Sequence, residues 1–126
     1  MTDRLSLTQE RMRFLHNELH NMTNGKELKQ KLRGLPVALR TNGLGVLLAQ
    51  LAASSDKNEK LAGGLLSRWL IEKYPPAGNA GQANIKNLLV RCLEATRMEY
   101  ESLQHESMAL LEQAKLIAEA LWPGEE

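Results

Sequence analysis

Aromatic side chains make up only 4% of the 126 residues. Strands draw on aromatic and β-branched residues, so this scarcity argues against a sheet-built fold. It also leaves no aromatic interleaved with the basic residues, and hence no platform on which bases could stack. Cys92 is the sole cysteine, which excludes an intrachain disulfide and a cysteine-built metal site and fits a reducing cytoplasm. Long apolar runs are missing too. The longest, Leu44 to Ala53, has ten residues with Gln50 the only strongly polar one, against about 20 for a bilayer span. The opening MTDRLSLTQERMRF has no apolar core of signal-peptide length, so no export is expected. There is no GxSxG elbow, no GxxxxGK[ST] loop and no GxGxxG following a strand. The GNAG at Gly78 follows two prolines in a linker. No catalytic constellation is present, which speaks against an enzyme and against a cofactor.

What is present reads as a helical domain. Apolar residues make up 43% and charged residues 25%, an ordinary globular balance. Leu, Ala, Glu, Lys and Gln dominate, and these favour helices. The length suits one domain over 1–126 that buries about two-thirds of its unfolded surface. The formal net charge of +1 conceals an asymmetry. Residues 1–40 carry eight Lys/Arg against four Asp/Glu, and residues 81–126 carry four against eight. A basic first third and an acidic last third suggest two faces with different partners, one suited to an anion.

The stretch from Leu35 to Ser54 organises the chain. Leu35-Pro36 is expected to end one helix and start another, with Gly34 as a left-handed C-cap. Asn42-Gly43 predicts a kink or a new helix start. The apolar run behind it reads as a helix buried on most sides. Before it, Leu5, Met12, Leu15, Leu19 and Met22 recur at helical spacing, with Asp3 or Thr2 as cap. Asn24-Gly25 breaks that helix. Leu28 and Leu32 follow one turn apart among basic residues. After Ser54, Ser55 or Asp56 offers a cap, with Glu59 at capping-box distance. A helix over 58–74 carries Leu61, Leu65 and Trp69, and Gly63-Gly64 within it predicts a close approach by another segment. Pro75-Pro76 ends it, and 75–84 reads as a mobile linker. From Ile85 to Leu121 a spacing of three and four runs on, as one long helix or two nearly collinear ones capped by Asn84. Its outer face is acidic at Glu94, Glu99, Glu101, Glu112 and Glu119. The expected fold is an all-α, compact bundle of five to six helices with a long C-terminal helix.

Few side chains suggest chemistry. His16 and His20 share a helix face, but HNELH is not the zincin motif, because Asn17 holds the place that motif gives to Glu. Zinc also needs a third or fourth ligand, and His105 is the one other histidine. No metal site is expected. Cys92 falls on the apolar stripe, where a buried thiol is inert. The basic set remains. Lys26, Lys29, Arg33 and Arg40, with Lys57, Lys60 and Arg68 adjoining, can neutralise successive phosphates without reading sequence. Solvated helix faces also carry such charge, so a helical adaptor that binds only protein is the alternative.

Several features in order give the chain a resemblance. Leu35-Pro36, Asn42-Gly43-Leu44 with the run to Ala53, Trp69-Leu70, Tyr100, Glu106, Met108 to Leu111, Lys115 and Ala118 resemble the small-subunit family of Cmr-type (type III-B) CRISPR effector complexes. The likeness covers roughly residues 26–121. Gln50, Gln104 and Gln113 depart from the residues frequent in that family. The resemblance implies a non-catalytic subunit that stacks with further copies of itself along the inside of the complex. Its partners would be the backbone and large subunits, the CRISPR RNA and the target RNA. Lys26, Lys29, Arg33, Arg40, Lys57 and Lys60 would then hold RNA phosphates, with no membrane involved.

Overall fold

A computed structural model describes residues 6–23, 25–74 and 82–124. They form six helices: α1 (Leu7–Leu19), α2 (Gly25–Asn42), α3 (Leu44–Ala53), α4 (Lys57–Lys73), α5 (Ile85–Glu94) and α6 (Arg97–Leu121). No strand occurs among the described residues. The fold is all-α with a long C-terminal helix, as the periodicity predicts. Helix α6, 25 residues long, packs on α2 and α1. Helix α5 packs instead on α3 and α4.

The helix ends follow cap chemistry. Ser6 caps α1 through a capping box with Gln9, while the caps expected at Asp3 or Thr2 lie outside the described residues. Asp56 caps α4 by accepting from the Asn58 and Glu59 amides. Those amide donors, the Glu59 N–H foremost, hold its carboxyl below the usual range. Asn84 caps α5 by accepting from the Asn87 amide, and Thr96 caps α6 in a box with Glu99. Ala95 and Thr96 are both extended, so the 85–121 pattern is two helices, α5 packed on α3 and α4, and α6 mainly on α2 and α1. The linker expected over 75–84 falls mostly outside the described residues.

Two expectations for the organising stretch fail. Helix α2 does not stop at Gly34 and restart at Pro36. It runs through both, with Pro36 inside it. An internal proline costs about 3 kcal/mol by removing a donor and crowding the preceding turn. Leu32, Leu35 and Leu39 are buried around it, and each fully buried leucine contributes about 1.5–3 kcal/mol. Tertiary burial therefore outweighs local propensity. Nor is α3 buried on most sides. Leu44, Leu47, Leu48 and Leu51 form one buried stripe, while Val46, Ala49, Gln50 and Ala53 are exposed. A helix of ten residues needs only that stripe to dock.

The breaks at glycine behave as predicted. Gly43 takes φ 86°, a conformation that penalises any Cβ. Its N–H donates to Leu39 O and its carbonyl accepts from Leu47 N, so one residue closes α2 and opens α3. Gly63 faces Ile85, and a Cβ there would overlap the isoleucine side chain. That missing side chain is what lets α5 lie against α4.

Candidate nucleic-acid interface

Lys26, Arg33 and Arg40 sit seven residues apart on α2, so they share a face and rise about 10 Å from one to the next. All three are exposed. The carboxylates of α6 lie alongside. Arg33 Nε is 3.6 Å from Glu119 Oε2, and Arg40 Nη2 is 3.5 Å from Glu112 Oε2. On the other side of α2, Lys31 reaches Asp56 and Glu59, each at 3.5 Å. These two carboxylates, Asp56 first, raise the lysine's pKa. At Arg33 and Arg40 the basic first third thus meets the acidic last third. They lie side by side and pair within the chain. Exposed pairs of this kind contribute only about 0–1 kcal/mol, so an arriving phosphate can compete for the arginines.

Lys29 does not belong to this stripe. Its side chain is buried, 2% exposed, and its ammonium donates to the backbone carbonyls of Trp122 and Gly124. It satisfies carbonyls at the end of α6, which have no helical donor of their own. The expectation that Lys29 meets RNA is therefore corrected. Its spacing of three from Lys26 and four from Arg33 predicts a shared stripe, but it lies on the side of α2 that the C-terminal segment covers.

Lys57 and Lys60 are exposed near the start of α4, and Lys60 Nζ lies 3.4 Å from Ala52 O. The structure does not join them to the Arg33–Arg40 row. Arg33 and Arg40 reach α6 while Lys31 reaches α4, so the two basic groups flank α2 on different sides. One turn-spaced face of α4 carries Lys60, Gly64 and Arg68. Together with Asn84 and Lys86 of the α5 end they line a cleft of about 330 Å³. Lys86 has no sequence signal that joins it to this face, because only the packing of α5 on Gly63 brings it to Lys60. The spacing of Lys60, Gly64 and Arg68 was the available signal.

Other candidates resolve as structure. The His16 and His20 rings stack with centroids 5.0 Å apart. Among the described residues no group of three or more His, Cys, Asp or Glu is placed to hold a metal. Burial pushes the Cys92 thiol up to about 11, far from a thiolate at neutral pH. No helix among the described residues is long and apolar enough to cross a membrane.

A family model described as CRISPR-associated protein (Cas_Cmr5) matches residues 7–121. The chain belongs to the CRISPR-associated Cmr5 family. A similar fold occurs in the crystal structure of a CRISPR-associated Cmr5 family protein from Thermus thermophilus. The TM-score is 0.76 over 93% of this chain and 98% of that one, at 22% identity. No curated protein matches the chain.

The residues that carried the resemblance to the Cmr small subunits are mostly architectural in this family member. Gly43 offers no side-chain cap, so α6 supplies one across the fold. Gln104 Oε1 accepts from Leu44 N at 3.0 Å, and Tyr100 Oη accepts from Gly45 N at 2.9 Å. Glu106 is buried and accepts from Arg11 Nε at 2.6 Å, Arg11 Nη2 at 3.0 Å and Trp69 Nε1 at 2.8 Å. One carboxylate thereby ties α6 to α1 and α4.

Proposed function

We propose that this chain is the non-catalytic small subunit of a type III-B CRISPR (Cmr) effector complex in the cytoplasm. It stacks with further copies of itself along the interior, beside the backbone and large subunits. There it touches the phosphate backbone of the target RNA and its duplex with the guide in antiviral defence. The observation that carries this reading is the family match over residues 7–121. The exposed row of Lys26, Arg33 and Arg40, with Lys57 and Lys60 at the start of α4, supports phosphate contact without base readout. A helical adaptor that binds only protein is favoured by a different observation. Arg33 and Arg40 already have carboxylate partners within the chain.

The combined variant Lys26→Gln, Arg33→Gln, Arg40→Gln separates the two. In the complex recovered from native cells, the RNA-contact reading predicts unchanged assembly with RNA released at lower salt. Each phosphate contact to a single strand contributes about 0.7 to the log–log salt slope, so three contacts flatten it by about 2. Unchanged RNA retention and an unchanged slope would favour the adaptor.

A further inference from the structure

The geometry points to the cleft between α4 and the start of α5 as a phosphodiester-binding site, with Lys60, Arg68 and Lys86 as its cationic ligands for single-stranded RNA. The assignment deepens, and rests on, the RNA-contacting role proposed above. Three cations from two helices converge on one concavity of about 330 Å³, and no carboxylate lines it among the described residues. Arg33 and Arg40 of the α2 row each lie beside an acid of α6; Arg68 also has a carboxylate partner, Glu18, but Glu18 does not line the cleft. Positive charge within a concave wall raises the local concentration of anions more than the same charge on a convex face.

Arg68 is held for this task. Its Nη2 is anchored to Glu18 Oε1 at 2.7 Å, and its Nη1 lies over Gly64, 3.3 Å from where a Cβ would stand. Its Nε is buried and has no hydrogen-bond partner among the described residues. The Arg68 side chain as a whole is 42% exposed, and an anion entering the cleft brings acceptors to its accessible part. A guanidinium fixed in place loses less freedom on pairing with a phosphate than a mobile lysine does. Gly64 matters because any side chain there would project toward the guanidinium. Lys60 and Lys86 are exposed and supply charge from the two helices. Glu18 is a positioning residue that acts through Arg68.

The test titrates labelled single-stranded RNA of mixed sequence with the full chain at low salt, read by fluorescence anisotropy. Three variants are compared: Lys60→Ala with Lys86→Ala, Gly64→Leu, and the α2 combination Lys26→Gln, Arg33→Gln, Arg40→Gln. Loss of both lysines is expected to weaken binding about tenfold and to flatten the log–log salt slope by about 1.4. Gly64→Leu removes no charge, yet is expected to weaken binding by obstructing the cleft while thermal melting shows the helices intact. Unchanged affinity in both cleft variants overturns the site. If the α2 combination alone lowers affinity, RNA contact survives and the cleft does not. Wild-type chain that binds inorganic phosphate in the cleft but no RNA contradicts the assignment, and so does one that binds neither.

Discussion

Glu106→Ala is expected to destabilise the fold by about 3–5 kcal/mol, because it leaves a buried arginine without its anion. Arg11 and Glu106 are 9% and 5% exposed, and the guanidinium meets the carboxylate through two nitrogens. The bond to Glu106 raises the Arg11 pKa, and even without that bond a guanidinium does not escape the loss by giving up its proton. Trp69 Nε1 loses its acceptor as well. Native domains are stable by only about 5–15 kcal/mol, so this one change removes a large share. Urea unfolding followed by far-UV circular dichroism measures it, and a loss below about 1 kcal/mol would contradict the account. The pair also sets an acid dependence. Burial alone pushes the Glu106 carboxyl up, but Arg11 and Trp69 together outweigh it and hold it below the usual range. A depressed carboxylate stabilises fully above its unfolded value of about 4.3, and the contribution is lost as pH falls through the lower folded value. Glu106→Gln is expected to be less stable at neutral pH and to lack this acid-side decline.

Lys29→Ala carries the second large effect and separates structure from binding. The change removes a fully buried stem and leaves the Trp122 and Gly124 carbonyls without their donor. A long core side chain cut to Ala costs about 2–5 kcal/mol, and an unpaired acceptor adds about 1–3 kcal/mol where water does not reach it. Trp122 is half-buried and Gly124 exposed, so water partly reaches these carbonyls and the expected loss is about 2–4 kcal/mol. Trp122 should loosen too, since it lies against the backbone of Gly25, where a Cβ would enter its ring. RNA affinity of the folded variant is expected to be unchanged. A variant of native stability with weakened RNA binding would return Lys29 to the interface.

The contrast between Lys29 and Arg33 shows how far the sequence could be read. Both are basic residues of α2, and the helical period alone does not tell a lysine that covers carbonyls from an arginine that faces solvent. The decision comes from Trp122, 93 residues on, just past the end of α6 at Leu121. Local signals were reliable where the physics is local. Asn42-Gly43 marked a helix boundary, Asn84 a cap and Gly63 a close approach. The helix break expected at Pro36 does not occur, because its local cost is real but the burial that offsets it is tertiary. The capping of α3 by Tyr100 and Gln104 was likewise invisible as chemistry, although Tyr100 helped to carry the family resemblance. Motif residues of this kind report how α6 is fastened, so they could reveal the family without revealing an RNA contact. The cleft needed α5 folded onto α4 before Lys86 met Lys60 and Arg68.

The central claim is membership of an RNA-guided complex, and one measurement bears on it most directly. The tagged chain is purified from its native cells, the co-purifying proteins are identified by mass spectrometry, and the retained RNA is sequenced. The account predicts recovery with the other Cmr subunits and with short RNAs that share a repeat-derived tag. Recovery alone, or with a protein partner and no RNA, would contradict it.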